Sequence, residues 1–392
     1  MNELTPFIPN ENAKGYPELL KRLEALHVAS YSLSAGLHPC VLEEVAKGIA
    51  LVNNYYSNLI ESEGTHPADI SRAMNRDFSS ELDNQKKQRL ALAYREAQEF
   101  VLHAEESVDF AHSENLKMIH EAFYGAADLL PEQLCVTDIK GVQHQIIPGE
   151  FRILDVEVGL HLAPAPSDIP RLLNDFYLNY RVLSSDLVLI KMMKAFAAHH
   201  RYMYIHPFLD GNGRTGRLLT DAMLKQALPE SYGLWSLSRG LARNNEKYKQ
   251  FLARADQKRQ GNIDGRGLRS ESGLVEFIRF MTETALDQAE YMKNMLKLDR
   301  LHDRLQKYVD YSEESIPNEY KAILPVMLIS GEVKKAELPG LWGCSERKAR
   351  DIAKQLKLLG LIDDASKFAP YRLCLNSKML SFVFPGLVPV KN

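Results

Sequence analysis

The sequence predicts a mainly α-helical protein with one small β-hairpin and a C-terminal helix-turn-helix unit. Apolar residues recur at helical spacing along most of the chain, and extended segments are few: "FRILDVEVGL" at 151–160 and "SKFAPYRLCLN" near the C-terminus. With 392 residues, 45% of them hydrophobic and 25% charged, the chain is long enough for two or three domains.

Apolar periodicity places the helices. We expect helices around residues 90–101, from a capping Ser113 through 127, at 185–205 as a largely buried central helix, and at 272–309 as a long helix or helix pair. A glycine-rich run follows the central helix directly, and helical character resumes in "RLLTDAMLKQAL". The charged stretch 257–273 holds four glycines and is predicted to be a surface loop.

The chain changes character again after "YSEESIPNE". Three helical segments, the third capped by Ser345, precede a short strand pair, which is the order of a winged helix-turn-helix over residues 312–392. Both basic and acidic residues lie on or near the third helix: Lys348, Arg350, Lys354, Lys357, Glu346, Asp351, Asp363 and Asp364. This mixture leaves DNA binding open but favours protein recognition or a structural role.

Charge and cysteine usage exclude several classes. A net charge of −3 does not suit a protein that coats nucleic acid. The four cysteines lie far apart without a CxxC pair, which argues against a disulfide framework or a zinc site. The N-terminal segment lacks the layout of a signal peptide, and no stretch approaches the apolar length of a membrane span. We therefore expect a cytoplasmic protein that does not enter membranes.

The run "HPFLDGNGRTGR" at 206–217 contains the residues that best indicate a functional site. Gly211, Gly213 and Gly216 allow a ligand to approach the backbone closely, and a loop that enters a helix N-terminus offers unpaired amide hydrogens to an anion. Arg214 and Arg217 are three residues apart and can reach the same polyphosphate. We therefore expect the run to hold the phosphates of a nucleotide.

Four further side chains complete the run. His206 can accept a proton from a hydroxyl near neutral pH, with Phe208 shielding it. Asp210 offers a hard oxygen to Mg²⁺, and the amide of Asn212 can donate to a phosphate oxygen. The alternative is a plain connecting turn in which the histidine packs and the arginines meet solvent.

The same run matches the HxFx(D/E)GNGRxxR signature, so the chain resembles the Fic (filamentation induced by cyclic AMP) family. The resemblance implies a helical Fic core over residues 85–300 and transfer of AMP from ATP to a protein hydroxyl. It implies His206 as the general base, Asp210 as the Mg²⁺ ligand, and Asn212 with the loop amides on the α phosphate. Arg214 would hold the β phosphate and Arg217 the γ phosphate.

Two other segments resemble parts of that family. "IIPGEFR" and "VEVGLHLAPAP" are similar to the hairpin flap that pairs with a target peptide, here Val156, Glu157, Val158 and Gly159. "LWSLSRGLARNNEKYKQFL" is similar to the region that lines the nucleotide pocket. Tyr248 in that segment is a candidate to stack near adenine, although core packing is the favoured role.

Residues 55–70, "YYSNLIESEGTHPADI", resemble the inhibitory (S/T)xxxE(G/N) helix of the family, placed here in an N-terminal helical region of residues 1–84. Ser57 and Glu61 share one helical face. The resemblance implies that Glu61 pairs with Arg217 and denies the γ phosphate its partner. Ser62 departs from the Gly or Asn of the pattern, and the alternative is that Glu61 is a surface acid.

The sequence thus predicts an ATP- and Mg²⁺-dependent protein adenylyltransferase restrained in cis. The partner would be a protein with a Ser, Thr or Tyr hydroxyl, including this chain itself, and a homo-oligomer stays open. Alternatives keep the site but move UMP, phosphocholine or phosphate, or remove AMP from a modified target. A third alternative is a DNA-binding regulator whose Fic core only senses nucleotide.

Overall fold

A computed structural model describes residues 2–105, 107–138, 140–159 and 161–389. Leu160 in the predicted flap and residues 390–392 at the end of the predicted C-terminal domain lie outside these ranges. The mainly helical prediction is confirmed. The α-helices are α1 Tyr16–Tyr31, α2 Pro39–Ile60, α3 Pro67–Met74, α4 Leu82–His103, α5 Ser113–Tyr124, α6 Ile169–Tyr180, α7 Val188–Ile205, α8 Asn212–Ala227, α9 Leu237–Arg243, α10 Asn245–Asp256, α11 Glu271–Met295, α12 Leu298–Tyr311, α13 Tyr320–Ser330, α14 Leu338–Trp342, α15 Glu346–Leu358 and α16 Ser377–Val383.

The strands form three short antiparallel pairs. These are β1 Cys135–Thr137 with β2 Gln143–Gln145, β3 Glu157–Val158 with β4 His161–Leu162, and β5 Ile362–Asp363 with β6 Arg372–Leu373. The predicted hairpin is present but shorter than residues 151–160, because only Glu157 and Val158 enter the ladder, opposite Leu162 and His161. The β1–β2 pair was not predicted from the sequence.

Local capping explains where several helices begin. Ser345 accepts a hydrogen bond from the Lys348 amide and caps α15, as the sequence predicts. The prediction that Ser113 caps α5 is wrong by one residue, since the His112 side chain accepts from the Glu114 amide instead. A histidine ring nitrogen can fill the capping role when it lies beside the first free amides of a helix.

Helix α7 forms the centre of the molecule. It packs against α6, α8 and α11, and Met192, Phe196 and Tyr202 on it are fully buried. Helix α1 lies along α11 and also contacts α7, and α2 packs on α4 and α9. The N-terminal helices α1 and α2 therefore pack on the same core as α7 and α11. The predicted boundary between an N-terminal region of residues 1–84 and a Fic core of residues 85–300 stays a prediction. No helix in the described part of the chain is both long and apolar enough to cross a membrane.

The C-terminal part shows three helices followed by a strand pair. Helices α13, α14 and α15 precede β5 and β6, and an isolated bridge joins Val333 to Tyr371. The apolar residues Ala349, Ile352 and Leu356 on one face of α15 are buried. Helix α16, which follows, packs on α12 and α3 and ties this part to the rest of the chain. The winged-helix assignment stays a prediction.

Candidate active site

The turn between α7 and α8 brings the predicted site residues together. His206 ends α7 in the left-handed conformation, with φ of 49°, and its amide donates to the Tyr202 carbonyl at 2.9 Å. Gly211 has φ of 76° and directly precedes α8. Helix α8 begins at Asn212, five residues earlier than "RLLTDAMLKQAL" suggests, so Gly213 and Gly216 are helical.

The glycines therefore serve different purposes. Only Gly211 needs the left-handed backbone that favours glycine. At Gly213, an added Cβ would lie 2.1 Å from Oε1 of Glu61, and at Gly216 it would lie 3.0 Å from the Tyr202 ring. These two positions lack a side chain because α2 and α7 approach α8 so closely.

The Asn212 side chain closes the turn on itself. Its Oδ1 accepts from the Phe208 amide at 2.9 Å, and its Nδ2 donates to the Phe208 carbonyl at 2.8 Å. The amide oxygen thus serves the loop, and the nitrogen uses one of its two hydrogens there in a buried position; a contact between the second hydrogen and a phosphate stays a prediction. Phe208 is also buried and stacks on the His120 ring, with centroids 3.9 Å apart.

The hydrogen bond of the His206 ring determines which of its nitrogens is basic. Its Nδ1 lies 3.3 Å from the Met203 carbonyl, which can only accept, so Nδ1 carries the proton and Nε2 is the basic nitrogen. Burial lowers the pKa of His206 to about 4, so the ring is neutral at pH 7. The Arg152 guanidinium donates to the His206 carbonyl at 2.8 Å and fixes the backbone there.

Asp210 is held through both its backbone and its side chain. Tyr124 donates to Oδ2 at 2.5 Å, Arg214 lies 3.5 Å from the same oxygen, and the His120 ring contacts the Asp210 carbonyl at 3.2 Å. Burial would raise the pKa of this carboxyl, but the Arg214 charge and the Tyr124 hydrogen bond outweigh it and lower the pKa. The carboxylate is therefore ionised, and its side chain is 44% exposed.

The two arginines in the first turns of α8 are buried, and both contact acids that follow the end of α2. Arg217 donates to Oε1 of Glu61 at 2.7 Å, to Oγ of Ser57 at 2.8 Å and to the Ser57 carbonyl at 3.0 Å. The Glu61–Arg217 contact that the resemblance implies is thus present. Arg214 donates to Oε2 of Glu63 at 2.7 Å, a pairing that the sequence did not suggest.

The two glutamates differ electrostatically. Burial would raise the pKa of Glu61, but the charges of Arg217 and Arg214 outweigh it, and the pKa is lowered. For Glu63, burial together with the nearby Asp210 and Glu61 carboxylates raises the pKa despite the Arg214 contact. Glu61 is therefore the more firmly ionised of the two, and Glu63 is the weaker partner.

Ser62 stands between these acids in a left-handed conformation, with φ of 64°. Helix α2 ends at Ile60, so Ser62 occupies the position just after the helix where glycine or asparagine is favoured. The Gly or Asn of the inhibitory pattern therefore has a conformational reason. Ser62 adopts the same turn at a cost of roughly 1 kcal/mol.

The flap and Tyr248 lie around this centre. The β3–β4 hairpin turns at Gly159, with φ of 62°, and leaves Val158 exposed. The His161 ring contacts the Tyr204 carbonyl at 2.8 Å, which ties the hairpin to the end of α7. Tyr248 is buried with its hydroxyl 2.6 Å from His199. This contact is a hydrogen bond inside the core. Stacking of Tyr248 on adenine stays a prediction, as does pairing of the flap with a peptide.

Sequence reasoning missed four residues that contact the site: Tyr124, His120, Arg152 and Glu63. A local signal existed for two of them, because His120 and Tyr124 are four residues apart on α5 and so share a face. Their target lies far along the chain, and helical spacing alone cannot identify it.

Comparison with solved structures defines the class of fold. A Fic family protein from Desulfovibrio desulfuricans G20 aligns with 92% of this chain and 97% of its own length, with a TM-score of 0.51 at 17% identity. A Fic-1 structure from C. elegans aligns with 72% of this chain and 74% of its own length, with a TM-score of 0.54 at 16% identity. The protein therefore has a Fic-type fold.

Sequence comparison then places the domain. Residues 133–224 match the model of the Fic/DOC family. A protein adenylyltransferase Fic from Nematostella vectensis is 29% identical over 182 residues, which are 46% of this chain and 38% of that relative. One from Drosophila erecta is 35% identical over 186 residues, which are 45% of this chain and 34% of that relative. The chain thus spans little more than a third of these relatives.

Proposed function

We propose that this protein is a protein adenylyltransferase that moves AMP from ATP to a hydroxyl of a protein. The observation that carries the proposal is the turn itself, where a neutral histidine, an ionised aspartate and two buried arginines converge. Relatives that match this region are named protein adenylyltransferases, which supports the same reaction here.

The proposed reaction is a displacement at the α phosphorus. The target hydroxyl oxygen forms a bond to that phosphorus while the bond to the bridging oxygen of the β phosphate breaks, and pyrophosphate leaves with the electron pair. Nε2 of His206 accepts the hydroxyl proton, for which its neutral state suits it. Arg214 and Arg217 would bind the β and γ phosphates as charge-assisted donors.

A magnesium ion fits the donors of this site. No three His, Cys, Asp or Glu side chains converge on a metal position anywhere among the described residues. Mg²⁺ that arrives with a nucleotide needs only one or two carboxylates besides the phosphates, and Asp210 is ionised and partly exposed. Asp210 would hold the ion, which when bound neutralises charge on the phosphates.

We further propose that the structure is the restrained state of the enzyme. Glu61 occupies Arg217 and Glu63 occupies Arg214, so neither guanidinium can bind a phosphate without leaving a carboxylate. Phosphate and carboxylate compete for the same donors, and a carboxylate left beside a triphosphate repels it. Displacement of the two acids would therefore accompany productive ATP binding.

The transferred group is tested with ATP labelled at either end. Glu61→Gly protein is incubated with α-labelled or γ-labelled ATP, Mg²⁺ and a lysate. Covalent label from the α position alone supports AMP transfer. Label from the γ position indicates phosphate transfer, and label from UTP or from phosphocholine donors in place of ATP would reassign the moved group.

We propose that the target protein carries a Ser, Thr or Tyr hydroxyl. We also propose a cytoplasmic location, because all four cysteines are unpaired, as is usual in a reducing compartment. For the C-terminal unit, a protein-contact role is supported by acids that neutralise its cations, with Lys357 2.9 Å from Asp363 and Lys348 3.9 Å from Glu319. Salt-dependent duplex binding would instead favour the DNA alternative.

A further inference from the structure

Tyr124 faces the site from the last turn of α5. Its hydroxyl donates to Oδ2 of Asp210 at 2.5 Å and accepts from Arg214 at 3.2 Å. The residue is 2% exposed, so this hydroxyl has exchanged water for two charged partners. A hydroxyl in such a position fixes the direction of the carboxylate that it binds.

The neighbouring turn is shaped to admit this ring. A Cβ on Gly211 would lie 2.5 Å from Cε2 of Tyr124, so glycine at that position permits the tyrosine to reach Asp210. The Phe123 ring lies beneath the Arg214 guanidinium at 4.6 Å and supports it from the same helix. Ring, carboxylate and guanidinium therefore have fixed relative positions.

His120, one helical turn earlier, holds the backbone of the same residue. The Gly149 amide donates to Nδ1 of His120 at 3.0 Å, so Nε2 carries the proton and donates to the Asp210 carbonyl at 3.2 Å. Helix α5 thus hydrogen-bonds to Asp210 at two points, to the carbonyl through His120 and to the carboxylate through Tyr124.

We propose that Tyr124 is a positioning residue that orients the Asp210 carboxylate toward the nucleotide-borne Mg²⁺, an inference that rests on the proposed function. Both Arg214 and Tyr124 contact Oδ2 of Asp210 in this structure. Once Arg214 moves to a phosphate, the Tyr124 hydroxyl is the side-chain contact that keeps the carboxylate in place, beside the backbone amide of Gly211. Partners of metal-binding side chains typically change metal affinity by about 10- to 100-fold when removed.

The test measures metal binding directly. Glu61→Gly protein with and without Tyr124→Phe is saturated with a non-hydrolysable α,β-methylene ATP analogue, and Mn²⁺ is titrated by electron paramagnetic resonance. The substitution removes one oxygen and keeps the ring that packs on Gly211. We expect Mn²⁺ to bind about 10- to 100-fold more weakly. Affinity for the analogue in EDTA should fall by a clearly smaller factor, since without metal the substitution removes only the contact between Tyr124 and Arg214.

Tyr180→Phe is the matched control, because it also deletes a buried hydroxyl, one that donates to the Phe7 carbonyl at 2.7 Å. It should leave Mn²⁺ affinity unchanged. In an Asp210→Asn background, Tyr124→Phe should cause no further loss of the residual Mn²⁺ affinity, because the carboxylate that Tyr124 orients is already gone. A general structural defect would lower the affinity in this background as well.

Equal Mn²⁺ affinity with and without Tyr124→Phe, in folded protein, overturns the inference while the proposed function stands. An equal loss in Tyr180→Phe also overturns it, since the effect would then be unspecific. If Glu61→Gly protein with Tyr124 intact binds neither the analogue nor Mn²⁺ with it, the proposed function fails and the inference falls with it.

Discussion

Replacement of Glu63 by Gln should increase the affinity of the protein for ATP. Glu63 competes with a phosphate for Arg214, and the substitution removes the competing charge while keeping a side chain of the same shape. The Arg214 side chain is 6% exposed and that of Glu63 is 39% exposed. Exposed ion pairs are worth about 0–1 kcal/mol and hydrogen bonds to charged groups about 1.5–3 kcal/mol.

For the half-exposed ion pair of Glu63 and Arg214 we take about 1 kcal/mol, so the dissociation constant of the nucleotide should fall roughly fivefold in Glu63→Gln. The assay is calorimetric binding of the α,β-methylene ATP analogue with Mg²⁺, in a Glu61→Gly background so that Arg217 is already free. Glu43→Gln is the matched control, because it removes the same charge at an exposed position of α2 that lies roughly 26 Å along the helix axis from its last residue, Ile60. The control should change affinity little.

Unchanged or weaker binding in Glu63→Gln would show that Glu63 does not compete with the nucleotide. An equal gain in Glu43→Gln would show that only net charge matters. Either result would refute the two-acid account of the restrained state and leave Glu61 as the sole brake.

Three other outcomes follow from the geometry. Ser62→Gly should raise the free energy of unfolding in urea by about 0.5–1 kcal/mol, because it relieves the left-handed strain; no gain would contradict the strain. Gly213→Ala should destabilise the wild type more than Glu61→Gly protein, since its Cβ would meet Glu61 at 2.1 Å; equal losses would contradict the contact. With a His206 pKa of about 4, kcat/KM of Glu61→Gly protein should be level from about pH 6 to 8 and fall as protonation begins below about pH 5; a fall centred near 6.5 would contradict a depressed pKa.

Much of the site could be predicted because its residues are adjacent in sequence. Twelve consecutive positions include His206, Asp210, Arg214 and Arg217, so the local backbone alone brings these side chains near one another. Amphipathic periodicity predicted the helices on either side of them. The start of α8 at Asn212 was misjudged, because glycines normally indicate a loop. Here two of them lie inside α8, at positions where the Glu61 side chain and the Tyr202 ring leave little room for a side chain.

What could not be predicted depends on long-range packing. Glu63 and Arg214 are 151 residues apart, and Tyr124 and Asp210 are 86 apart. No periodicity pairs such positions, because the contact exists only once α2 and α5 have packed on α8. The orientation of Asn212 likewise depended on the backbone geometry of the turn and not on residue type.

The most direct test of the central claim is incorporation of α-labelled ATP into protein by three versions of the chain with Mg²⁺. These are the wild type, Glu61→Gly, and Glu61→Gly with His206→Ala. Release of a partly buried, charge-assisted contact worth about 1.5–3 kcal/mol should increase labelling about 10- to 150-fold in the single variant. The double variant should show none of that gain. Equal labelling by wild type and Glu61→Gly, or persistent labelling without His206, would contradict the account.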